Sequence, residues 1–130
     1  MRNKAVKLII VKNEKYLFQL RDKTKKISSP NCWGFFGGKV RKGEKPESCA
    51  KRELYEEIKV KCSVTKKYFE VINNRTKYLH YFFKVKTVGK FKKKNLTEGQ
   101  DFKWFTRKQI LKKKNAWEVK KFFHLVNNEL

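Results

Sequence analysis

Apolar residues recur along this chain in two rhythms, and together they lay out strands and helices in alternation. Val6 to Val11 is rich in apolar and β-branched residues and predicts a strand. Asn13-Glu14 predicts a turn, and Tyr16 to Leu20 a second strand. Thr24 to Asn31 is polar, contains Ser28-Ser29-Pro30 and reads as a loop. Trp33 to Val40 reads as short extended segments broken by glycines.

The helical rhythm begins near Pro46, a residue suited to a first helical turn. Ala50, Leu54 and Ile58 recur at i, i+4 and i+8 and form the apolar stripe of a helix ending near Ile58. Two further strands are predicted over Val64 to Ile72 and Tyr78 to Val88, with Asn73-Asn74 as a turn signal. Lys90 to Asn95 reads as a basic loop and Phe102 to Phe105 as a strand. Thr106 is placed to cap a short helix through Leu111, and Ala116 to Val126 predicts a closing helix with Trp117, Phe122 and Leu125 as core contacts. The order of strands, helix, strands, helix predicts an α+β fold or an α/β/α layered domain. At 130 residues the expectation is one domain with one core.

Charge changes the picture. The net charge is +23, which favours polyanions as partners. The excess comes from 29 Lys against 6 Arg, spread along the whole chain. Arg is the residue suited to bidentate phosphate contacts, so a selected polyanion surface and a compositional bias both remain open. Cys32, Cys49 and Cys62 are odd in number and form no CxxC. A disulfide framework or zinc site is not expected, and a reducing, cytoplasmic setting fits. The early apolar run Leu8-Ile9-Ile10-Val11 is too short for a signal peptide or a membrane span. No membrane partner is expected, and nothing in the pattern sets the oligomeric state.

The chemistry gathers on the first helix. Glu53, Glu56 and Glu57 lie at i, i+3 and i+4 and share one face. Like charges at these spacings weaken an isolated helix by about 0.2–0.5 kcal/mol per pair. A solvated acidic face is the plainer reading; a site for Mg²⁺ or Mn²⁺ is the other. The turn Gly37-Gly38 favours the second, because it lets backbone approach a ligand closely. From Gly38 to Val60 the chain meets the pattern G-x5-E-x7-R-E-U-x-E-E-x-x-U, filled by Gly38, Glu44, Arg52, Glu53, Leu54, Glu56, Glu57 and Val60.

This stretch resembles the Nudix box, the signature of hydrolases acting on nucleoside diphosphates linked to another moiety. Lys59 stands where the box usually has glycine, which requires a left-handed residue or a different helix exit at a cost of about 1 kcal/mol. Phe36 stands where many relatives have proline. The resemblance implies the Nudix fold, an α/β/α sandwich with a mixed central sheet. It implies Mg²⁺, with Mn²⁺ as an alternative, held by Glu56 and Glu57 with Glu53 close by and the Gly38 carbonyl contributing. Arg52 would fix a carboxylate rotamer, and Glu44 would pair with Arg52 or reach the metal through water. The general base would be Glu53 or Glu98, with Asp101 competing.

On the substrate side, Arg21 ends the second strand and is either a phosphate contact or a surface charge. Trp33, Phe35, Tyr78 and Phe83 are stacking candidates, with core packing the plainer reading for each. His80 reads as a satisfied structural histidine and Cys49 as a packed residue. The implied reaction is Mg²⁺-dependent hydrolysis of a nucleoside triphosphate, normal or oxidised, or of a related nucleoside diphosphate compound. Two alternatives stay open: an RNA 5′-end pyrophosphohydrolase using Lys90–Lys94 and Lys112–Lys114, and a non-catalytic nucleic-acid-binding module.

Overall fold

The computed structural model describes residues 2–24 and 30–127. Of the loop expected from Thr24 to Asn31, residues 25–29 lie outside the described residues.

The first strand, β1 (Lys4–Ile9), lies at the centre of a mixed sheet in the order β5-β1-β7-β6. It pairs antiparallel with β5 (Phe36–Lys39) and parallel with β7 (Leu79–Val88), which pairs antiparallel with β6 (Lys61–Ile72). A second sheet holds β2 (Val11–Lys12), β3 (Lys15–Leu20), β4 (Trp33–Gly34) and β8 (Asp101–Thr106) around β3. The strand expected over Val6–Val11 therefore divides: one apolar run serves two sheets, and β2 turns back through Asn13 (φ 49°) and Glu14 (φ 65°).

Helix α1 spans Pro46–Ile58, with Pro46 in its first turn. Its Ala50, Leu54 and Ile58 pack on Val6, Leu8, Phe36 and Phe83 to form one core cluster. On the other side, Ile9, Phe18, Phe35 and Phe82 pack against α3 (Trp117–Val126) through Val119, Phe122 and Phe123. The strict alternation of β1 sends Val6 and Leu8 to α1 and Ile9 to α3, so the sheet is covered on both faces. The architecture is α+β, with the helices on both sides of mixed strands.

Helix α2 (Arg107–Leu111) starts at Thr106, which forms a capping box with Gln109. In α3 the core contact expected of Leu125 falls instead to Val119 and Phe123, because the helix rotates Leu125 to a half-buried position. Among the described residues no helix is long and apolar enough to cross a membrane.

Candidate active site

Arg52 is the hub of the carboxylate helix. Its Nε donates to Glu44 Oε2 at 2.7 Å and its Nη2 to Glu44 Oε1 at 2.9 Å, a bidentate pair. Nη1 donates to Glu53 at 2.9 Å and to Glu56 at 3.1 Å, and Nη2 reaches the Lys39 carbonyl at 3.1 Å. One guanidinium thus ties three carboxylates to the strand before the helix. The Arg52 bonds hold the Glu44 carboxyl down to about 2, and Glu44 in turn raises Arg52. Cys49, beneath this pair, is buried, and burial pushes its thiol up to about 12.

The glycine turn is shaped by what lies against it. A Cβ on Gly37 would stand 2.1 Å from the Val6 carbonyl oxygen. A Cβ on Gly38 would stand 2.1 Å from the carboxylate carbon of Glu53. Both positions need glycine for close approach, so the turn seats the Glu53 carboxylate directly on backbone.

Helix α1 ends at Lys59, which takes φ 60° and ψ 32°, the left-handed conformation, while its N–H donates to the Tyr55 carbonyl at 2.8 Å. Lys59 Nζ lies 5.3 Å from the Tyr55 ring centre. Past this exit, Thr97 binds the end of the helix: its N–H donates to the Glu57 carbonyl at 2.9 Å and its hydroxyl to the Glu56 carbonyl at 2.9 Å. Gln19 Nε2 donates to the Glu98 carbonyl at 2.7 Å. The backbone around Glu98 is thus pinned, and Glu98 lines the same cavity as Glu57.

Glu57 departs from the solvated face that spacing suggests. It is 4% exposed, and its Oε2 has no hydrogen-bond partner. Burial raises its carboxyl well above the usual range, and Glu53 and Glu98 push it further; Lys7 and Arg21 oppose them. Burial also raises Glu53, against the pull of Arg52.

Glu57 and Glu98 line a cavity of about 620 Å³ together with Gly37 and Gly38. Lys7, Arg21, Lys39 and Arg75 bring cations to it, and Tyr78, His80 and Trp117 bring aromatic residues. Of the stacking candidates, Tyr78 lines the cavity; Phe35 touches it but is 2% exposed, with its ring packed on Phe18 and Phe122, so the core-packing expectation holds for it. Phe83 is buried in the α1 core, and Trp33 packs edge-on against Phe105 at 5.0 Å. Asp101 meets Lys93 and does not line the cavity. His80 is 8% exposed with Nδ1 lacking a partner, so the expectation of a satisfied histidine does not hold. Burial lowers it to about 4, helped by Lys7, and the ring is neutral.

Lys7, Gln19, Thr97, Trp117 and Glu118 were not legible as site residues. Lys7 and Gln19 sit inside strand patterns, and Glu118 reads as an ordinary acid in a first helical turn. Only alternation along β1 and β3, set against which face carries α3, had any bearing on Lys7 and Gln19.

Among the described residues no three His, Cys, Asp or Glu side chains are gathered closely enough to hold a metal ion as they stand. Arg52 draws Glu53 and Glu56 to itself. The donor chemistry nevertheless fits a hard divalent cation: Glu57 Oε2 is buried without a partner, and two carboxylates lie near enough to disfavour its charge.

The cavity brings together glycine backbone, Glu57 of the arginine-tied helix and a set of cations. The NUDIX domain family model matches residues 1–126, and the chain belongs to this family of hydrolases. Among curated proteins none matches significantly. Solved structures share the fold. A MutT protein from Methanosarcina mazei superposes with a TM-score of 0.82 at 19% identity, covering 98% of this chain and 94% of its own. A MutT from work on Aliivibrio salmonicida and Vibrio cholerae gives 0.77 at 22% identity, covering 100% of both chains. An ADP-ribose pyrophosphatase from Streptococcus suis gives 0.72 at 11% identity, covering 92% and 82%.

Proposed function

We propose that the chain, as one domain, hydrolyses a nucleoside triphosphate, normal or oxidised, or a related nucleoside diphosphate compound, to a nucleoside monophosphate and pyrophosphate or a phosphorylated remainder. The observation that carries this reading is the partnerless Glu57 oxygen in a cation-lined cavity. Glu57, with Glu53, Glu56 and the Gly38 carbonyl, would hold Mg²⁺, for which Mn²⁺ can substitute. Bound there, the cation supplies Lewis-acid charge to the phosphoryl oxygens.

Arg52 orients the carboxylates, and Glu44 fixes Arg52 in turn. Glu98 lines the same cavity as Glu57 and would accept the proton of the water that attacks phosphorus. Glu53 is held by Arg52 against Gly38 and serves to keep the acidic cluster in place. Arg21 and Lys39 contact the phosphates, and Tyr78 flanks the base.

A panel of nucleoside triphosphates with Mg²⁺, assayed for pyrophosphate release, tests this. Glu57→Gln should abolish turnover and Glu98→Gln should reduce it. Unchanged rates in Glu57→Gln, or no hydrolysis of any nucleotide, overturn the reading. Turnover confined to 5′-triphosphorylated RNA moves the substrate to RNA ends. Binding there should weaken with salt at a log–log slope of roughly −0.7 per phosphate neutralised.

A further inference from the structure

Gln19 is a buried amide set into an apolar run. It follows Leu17 and Phe18 on β3 and is 6% exposed. Burying an amide is costly without a hydrogen bond, and an apolar side chain at this position carries no such cost. The partner of Gln19 is the Glu98 carbonyl, to which Nε2 donates at 2.7 Å.

The rest of that segment is tied as closely. Thr97 donates its N–H to the Glu57 carbonyl and its hydroxyl to the Glu56 carbonyl, two of the acceptors that the last turn of α1 leaves open. Gly99 has φ 83°, and a Cβ there would stand 2.8 Å from the Leu20 carbonyl oxygen and 2.9 Å from Gln19 Nε2. Glycine is required on both counts, and it lets the segment lie directly on β3. Gln100 completes the attachment. Its N–H donates to the Leu20 carbonyl at 2.8 Å and its Nε2 to the Arg21 carbonyl at 2.7 Å. Four consecutive residues, Thr97 to Gln100, thus bridge the end of the carboxylate helix to the end of β3. Glu98 carries the one carboxylate of the four. It lines the cavity with Glu57, and its charge disfavours ionisation of both Glu57 and Glu53.

We propose that Gln19 and Thr97 are positioning residues for hydrolysis: from β3 and from α1 they hold the backbone of Glu98, so that its carboxylate is presented to the attacking water. The inference rests on the reading of Glu98 as proton acceptor and deepens it. Neither residue needs to touch substrate. A shift of about an ångström at Glu98 misplaces the carboxylate, and misplacement of that size costs on the order of 10²-fold in rate. Two other roles compete. Thr97 also closes the end of α1, so loosening it would disturb Glu57 directly. Gln19 lines the cavity, and a substrate contact there would act on affinity.

Kinetics separate these roles. Gln19→Leu, Thr97→Val and Glu98→Gln, singly and combined, are assayed with Mg²⁺ on the nucleoside triphosphate that the wild type turns over fastest. Gln19→Leu and Thr97→Val should each lower kcat about ten-fold or more, with KM within about two-fold. In the Glu98→Gln background neither should lower kcat by more than about two-fold, because the carboxylate that they place is gone. Thr97→Ser keeps the hydroxyl and should stay within about two-fold of wild type. Undiminished losses in the Glu98→Gln background, or a change in KM alone, overturn the proposal. Gln19→Met, of similar length without the donor, and Thr97→Ala stand in for a variant whose thermal midpoint shows it unfolded. Glu98→Gln at full rate, or no turnover by any of the proteins, removes the reading of Glu98 and this inference with it. An impaired Glu98→Gln beside unimpaired Gln19→Leu and Thr97→Val removes this inference alone.

Discussion

Gly38 and Glu53 occupy adjoining space so closely that a Cβ on the glycine would overlap the carboxylate, at 2.1 Å from its carbon. The glycine turn is therefore a seat for one acidic side chain. Gly38 has no positive φ, so alanine is permitted there by backbone conformation. Gly38→Ala should keep the fold, shift Glu53 by about an ångström and lower kcat on the order of 10²-fold. Near wild-type kcat together with an unchanged thermal midpoint would show that the seat has no catalytic use.

Arg52 grips Glu44 with two bonds and reaches Glu53 and Glu56 with a third nitrogen. Lysine keeps the charge but is a point donor without the fork. Arg52→Lys should cost roughly 10–100-fold in activity or divalent-cation affinity. The check is a Mg²⁺ titration of activity, with Glu44→Gln as a companion. Matching losses in both variants place them on one network; full affinity in the Arg52→Lys variant argues against it.

Lys59 carries the left-handed backbone at the exit of α1. Lys59→Gly should stabilise the protein by about 0.5–1 kcal/mol, because glycine accepts φ 60° without a Cβ clash although it adds entropy to the unfolded chain. Lys59→Ala should give no such gain. Urea unfolding of the three proteins decides the matter, and equal midpoints would mean that strain at this position is negligible.

His80 titrates near 6.5 when unfolded and near 4 in the fold. Between these values the unfolded chain binds a proton that the folded chain does not. Its contribution to stability is therefore complete above 6.5 and is lost as pH falls toward 4. The loss should amount to about 2 kcal/mol by pH 5. Glu57 works in the opposite sense: its raised carboxyl favours the fold at low pH and loses that contribution as pH rises above its unfolded value. Comparing the wild type with His80→Phe by urea unfolding at pH 5 and pH 7 isolates the histidine. An identical pH slope in the two proteins would exclude His80 as its source.

Much of the fold was legible because its elements are locally determined. Pro46 and the Ala50, Leu54, Ile58 stripe fix α1 from Pro46 to Ile58, and Thr106 with Gln109 fixes the start of α2. The run Val6–Val11 was misleading because hydrophobicity does not say which sheet a strand joins; β1 and β2 part at Ile10. Phe83 and Phe35 look alike in sequence, yet Phe83 packs on the α1 side and Phe35 on the α3 side.

The box motif carried the resemblance to the family, and its spacing put the carboxylates on one face, because residues at i, i+3 and i+4 of one helix must share a face. It also required a left-handed residue or a new exit at Lys59, and the left-handed residue is what the chain uses. Tertiary structure alone decided that Glu57 is buried and that Glu98 lines the same cavity. It also set Lys7 and Glu118, 111 positions apart in sequence, against each other at 3.9 Å. Burial and charge proximity are made by packing α1, α3 and the Thr97 loop on opposite faces of β1. No local pattern in those segments encodes which neighbours packing will bring.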